Sequence, residues 1–89
     1  MNKAAMSKLV PPTGERYKQA RAARKELVSE PTNWFIPRVE GWMVDADREC
    51  FLVPINHRKA SGDFIFSILS VPFEFAVNAM ITMEERNDI

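Results

Sequence analysis

The chain is poor in the residues that chemistry and covalent stapling need. Its 89 residues hold one cysteine, Cys50, and one histidine, His57. A single cysteine excludes an intramolecular disulfide and a cysteine-based zinc cluster within one chain, which fits a reducing, cytoplasmic setting. Glycine is scarce as well. Gly14, Gly41 and Gly62 lie far apart, so there is no glycine-rich loop to cradle a phosphate. Neither a Ser/His/Asp arrangement nor a paired-carboxylate signature is present. The formal net charge is zero, whereas a dedicated nucleic-acid binder is usually a strongly basic domain.

Long uninterrupted apolar runs are also missing, with one partial exception. Phe64 to Met83 is a stretch of twenty residues with a single charge, Glu74, and is long enough to span a bilayer. Glu74 falls near its middle beside Pro72, and a central charge costs about 2.5 to 3.5 kcal/mol on insertion scales. A strand followed by a helix is the favoured reading, and membrane anchoring through residues 64–83 is a distant alternative. Met1 to Pro12 has no apolar run longer than Ala4-Ala5-Met6, which is not a secretory signal.

What is present is enough to fold. Hydrophobic residues make up 46 % of the chain, above what a disordered segment carries, and so short a chain supports one core. The expected organisation is a flexible arm over residues 1–12 and a single domain over 13–89. Pro11-Pro12 closes the arm. Thr13 then serves as an N-cap and Glu15 sits in the first turn of a helix from about Gly14 to Ser29, which Pro31 stops. Tyr17, Ala20, Ala23, Leu27 and Val28 give this helix a thin apolar stripe.

From Trp34 onward aromatic and β-branched residues alternate with turn-like clusters, which reads as sheet. Val39 to Val44 is one strand, 45–48 a polar turn and Glu49 to Ile55 a second strand. Pro37 and Pro54 are confined to strand ends, bulges or an exposed edge. A loop covers Asn56 to Asp63, and Phe64 to Leu69 is a third strand, apolar on both faces and so expected to be covered on both sides. Phe73 to Met83 satisfies both a strand and a helix period. Ser70-Val71-Pro72 lacks the turn residues of a tight hairpin and resembles a helix start, which predicts a helix over about 71–86, with a strand as the alternative. The fold class is α+β: a basic N-terminal helix, a three-stranded antiparallel meander and a C-terminal helix.

Each candidate for chemistry has a plainer explanation. Cys50 and His57 are the only residues from which a nucleophile and base pair could be built. Cys50 reads instead as a small buried hydrophobe and His57 as a surface loop residue beside Arg58 and Lys59. Asp45, Asp47 and Glu49 alternate through the first turn, but the central glycine and the further oxygens of a calcium loop are missing. No catalytic, cofactor-binding or metal-ligating residue is assigned, and the chain is not expected to be an enzyme.

Charge distribution is more informative than charge total. Residues 1–28 carry seven Lys/Arg against two acids, a net of +5, and residues 29–89 carry five against ten, a net of −5. Arg16, Lys18, Arg21, Arg24 and Lys25 fall within ten residues on the first helix, a surface fit for polyanions or acidic protein faces. Trp34 and Trp42 are the second candidate contact, because tryptophan is enriched at interface cores. The leading expectation is a small non-enzymatic protein that binds a larger protein or complex through these residues, as inhibitor, adaptor or small subunit. Nucleic-acid binding through the basic arm and helix is the alternative. The opposed charges also allow two copies to pair as a homodimer.

Overall fold

The computed structural model describes residues 9–30 and 34–87. Element order is α1 (Gly14–Val28), β1 (Trp34–Phe35), a 3-10 turn (Val39–Gly41), β2 (Met43–Asp45), β3 (Cys50–Arg58), β4 (Phe64–Pro72) and α2 (Phe73–Glu85). The class is α+β, with β2, β3 and β4 as the expected antiparallel meander.

β3 organises the sheet. All nine of its residues pair with β4, from Cys50↔Pro72 to Arg58↔Phe64. Its other edge is shared: β2 takes residues 50–52 and β1 takes 56–57. The ladder on that edge is interrupted at 53–55, around Pro54, which has no N–H to give. Pro54 thus sits inside the central strand rather than at an end or edge, and the gap between β1 and β2 accommodates it. The first expected strand, Val39 to Val44, is displaced because its first half takes another backbone form. Val39–Gly41 forms a 3-10 turn closed by Gly41 N–H to Arg38 O (2.8 Å) and Trp42 N–H to Val39 O (2.9 Å), and pairing begins only at Met43.

Both helices cover one face of the sheet. Phe51, Val53 and Ile55 of β3 point into this layer with Trp42, Val44 and Val71, against Ala20 and Ala23 of α1 and Ala76 of α2. Alanine has little side chain to hold a helix away from its neighbour, so α1 sits close to α2, with Ala22 packed against Ala79 and Met83. The stripe expected on α1 holds at Tyr17, Ala20, Ala23 and Leu27, while Val28 at the helix end is exposed. In α2 the buried residues Ala76, Ala79 and Met83 recur at three and four, so the helical period prevails over the alternating one.

Aromatic rings run through the centre. Trp42 meets Phe51 edge-on at 5.6 Å, and Phe51 meets Phe73 at 5.2 Å. The indole N–H of Trp42 donates to Pro37 O at 3.1 Å, so the ring is buried without an orphaned donor. At the N-terminal side Val10 and Val44 exchange backbone hydrogen bonds, the shorter 2.7 Å. That end of the expected arm is therefore attached to the edge of β2; residues 1–8 lie outside the described residues, as does Pro31.

Candidate functional surfaces

The five basic residues of α1 do not act together. The Arg16 guanidinium lies 3.5 Å over the ring of Phe73 and donates to the side-chain carbonyl of Gln19, which makes it a packing residue between the helices. Lys18 is exposed and stands apart. Arg21, Arg24 and Lys25 instead line an open cleft of about 350 Å³ between α1 and the 3-10 turn, with Tyr17, Arg38 and Glu40.

Arg24 anchors this cleft. Its Nε donates to Pro37 O at 2.9 Å and its Nη2 to Ile36 O at 3.3 Å, so the guanidinium is held in place by the backbone leading into the 3-10 turn. Across the cleft the Tyr17 hydroxyl donates to Glu40 Oε2 at 2.8 Å. That hydrogen bond is the main reason the Glu40 carboxyl lies below its ordinary pKa and the Tyr17 phenol above its own, and Arg38 and Arg21 further favour the Glu40 carboxylate. Two cations, Arg38 at 4.0 Å and Arg21, thus act on the one carboxylate, and Arg24 and Lys25 line the same cleft. Arg38 and Glu40 lie ten and twelve residues beyond the end of the helix, and nothing in the helical periodicity of α1 points to them.

The two tryptophans part company. Trp42 is fully buried and offers no surface to a partner, because its ring fills the layer between sheet and helices. Trp34 is 42 % exposed and lines a second cleft of about 300 Å³ with Leu27, Ile36 and Phe75, rimmed by Glu26 and Glu30.

A larger apolar surface lies on the sheet face that the helices leave open. β4 pairs with β3 alone, so it is an edge strand with one face covered, not the strand covered on both sides that its composition predicts. Its even-numbered residues Phe64, Phe66 and Ile68 are 66, 67 and 55 % exposed. Register places Asn56 opposite both Phe35 and Phe66, and Phe35 is 64 % exposed. Apolar residues on both faces of β4 signal burial of both only if something covers the second one; no described element does.

Residues considered for chemistry are placed apart. Cys50 and His57 stand at opposite ends of β3 and, an odd number of residues apart, on opposite faces, separated by about 23 Å at strand rise. His57 belongs to the strand, paired with Trp34 and Ile65, not to the following loop. Cys50 is buried, and burial, with Asp45 nearby, raises its thiol pKa. In the 45–48 turn, Asp45 accepts from the Arg48 backbone N–H at 3.3 Å and pairs with its guanidinium at 3.7 Å. Among the described residues no group of three or more His, Cys, Asp or Glu is placed to hold a metal ion. Residues 64–83 form a strand and then a helix, and among the described residues no helix is long and apolar enough to cross a membrane. Compared with known proteins, the chain matches no family model, no curated protein and no solved structure.

Proposed function

We propose that this chain is a small non-enzymatic, cytoplasmic protein-binding protein that acts by occupying an acidic surface of a larger protein, as an inhibitor, adaptor or small subunit. The observation that carries this reading is the cleft between α1 and the 3-10 turn, which Arg21, Arg24, Lys25 and Arg38 line together with a single carboxylate, Glu40. A pinned guanidinium is a better anion receptor than a free one. Arg24 has already lost its side-chain freedom to its bonds with Pro37 and Ile36, so less entropy remains to be lost on binding. Arg21 and Lys25, one turn apart on the same helix face, supply steering charge.

Nucleic acid is the competing polyanion. It is disfavoured because Arg16 is engaged with Phe73 and because the chain's formal net charge is zero, whereas a nucleic-acid-binding domain is usually strongly basic. The test is affinity purification from the native cell with quantitative mass spectrometry, comparing the wild-type chain with Arg21→Glu/Lys25→Glu. A protein partner with an acidic contact face should be retained by the wild type and lost by the variant. Identical partner sets for both would overturn the reading, as would retention of DNA or RNA in low-salt filter binding with an affinity that collapses as salt rises.

A further inference from the structure

We infer that the open sheet face is a homodimer interface, on which a second copy of this chain stacks its own open face across a two-fold axis. The face is built from the even-numbered residues of β3 and β4 together with Met43 and Phe35, which register places on the same side. Between Asp45 at one corner and the register position of Arg58 at another, every position on it is uncharged.

Area, charge and symmetry favour a second copy as the occupant. An aromatic side chain buries about 150 to 250 Å² when fully covered. With about two thirds of each ring exposed, Phe35, Phe64 and Phe66 alone offer about 300 to 500 Å² per chain, already the size of the largest apolar patch on an ordinary monomer. Ile68 and the partly buried Leu52, Pro54 and Met43 extend this toward the roughly 800 Å² per partner of a standard interface. A face with no charge at its centre carries no code that selects an unlike partner, and depletion of charge with aromatic enrichment is the composition of homodimer interface cores. The chain is formally neutral, so it lacks the self-repulsion that keeps copies apart. Two such faces stacked about 10 Å apart would give a four-layer particle with helices outside and both sheets inside.

This surface is separate from the cationic cleft, so either can fail without the other. The test is sedimentation velocity of the full chain across the micromolar range, at low and high salt. A mass of twice the chain, unchanged by salt, is the expected result. Phe66→Asp and Ile68→Lys replace exposed residues, so circular dichroism should be unaltered while each weakens the dimer by about 30-fold or more, as at the centre of an interface. The proposal is overturned by a monomer throughout the range. It is equally overturned by a dimer indifferent to both substitutions, or by one that dissociates as salt rises, since that would reveal pairing between the +5 and −5 ends of the chain.

Discussion

At the scale of single residues, the fold rests on a short series of rings. Trp42 and Phe51 are fully buried and in edge contact. Trp42→Ala or Phe51→Ala should each lower unfolding free energy by about 3 to 5 kcal/mol, a large share of the total for a domain of this size, readable as a shifted midpoint in urea. Trp34→Ala, at a half-open site, should cost far less. Cys50 should react slowly with thiol reagents at neutral pH, because burial raises its pKa and leaves less thiolate; rapid modification of the folded chain would contradict its placement. Tyr17 and Glu40 make a further prediction. The folded-state pKa of Glu40 is depressed below 4.5, so its contribution to stability is present above that value and is lost as pH falls through the folded pKa. That of Tyr17 is raised above 10.0, so its contribution is present below that value and is lost as pH rises through the folded pKa. In Tyr17→Phe the Glu40 carboxyl should return toward its ordinary pKa, followed by NMR titration of its side chain.

At the scale of elements, small residues set the spacing. Ala20, Ala22 and Ala23 have at most 1 % of their surface exposed, and Ala23→Leu should overpack the layer between α1 and the sheet at a cost of about 1 to 3 kcal/mol, measured by thermal or urea unfolding. The turn between β2 and β3 ends on Glu49, a non-glycine residue at φ 54° whose carbonyl accepts the Phe73 N–H of α2 at 2.9 Å. Glu49→Gly keeps that carbonyl and removes a left-handed cost of about 1 to 2 kcal/mol, less the entropy glycine loses on folding. The variant should therefore be equal to or slightly more stable than the parent. These elements were also the most legible in the sequence. Helical spacing of apolar residues and the Asp45–Arg48 turn place α1, β3 and β4 to within a few residues. The 3-10 turn was hidden because Val39, Trp42 and Val44 look like strand residues whichever backbone carries them. The two-residue β1 is too short to leave a periodic signal, and its pairing depends on β3, more than twenty residues later.

At the scale of the whole molecule, the structure is a slab 18 Å thick and about 40 Å across, one sheet with helices on one side. That asymmetry is the property the sequence conceals best. Whether Phe64, Phe66 and Ile68 are interior depends on how many layers the chain can build, and two helices supply only one. The basic cluster was partly legible: Arg21, Arg24 and Lys25 share the cleft, but Arg16 is spent on Phe73, and Arg38 joins from a distant segment. With the charge thus localised, partner binding at the cleft should weaken as ionic strength rises, whereas association through the sheet face should not. Binding titrations and sedimentation at two salt concentrations separate the two surfaces.

The interrupted ladder beside Pro54 sets an order of opening. β1 is held to β3 by two residue pairs and β2 by three, with nothing bridging them at 53–55, while β4 holds β3 along its full length. Local fluctuations scale with how little a segment is tied down, so amide exchange at Trp34 and Phe35 should run ahead of exchange in β3. Each such opening would detach Trp34 from the sheet and widen the cleft it shares with Leu27 and Phe75, leaving the Trp42–Phe51–Phe73 series closed. Exchange in β1 should therefore be separable from exchange in the core, whose rings are released only when β3 itself opens.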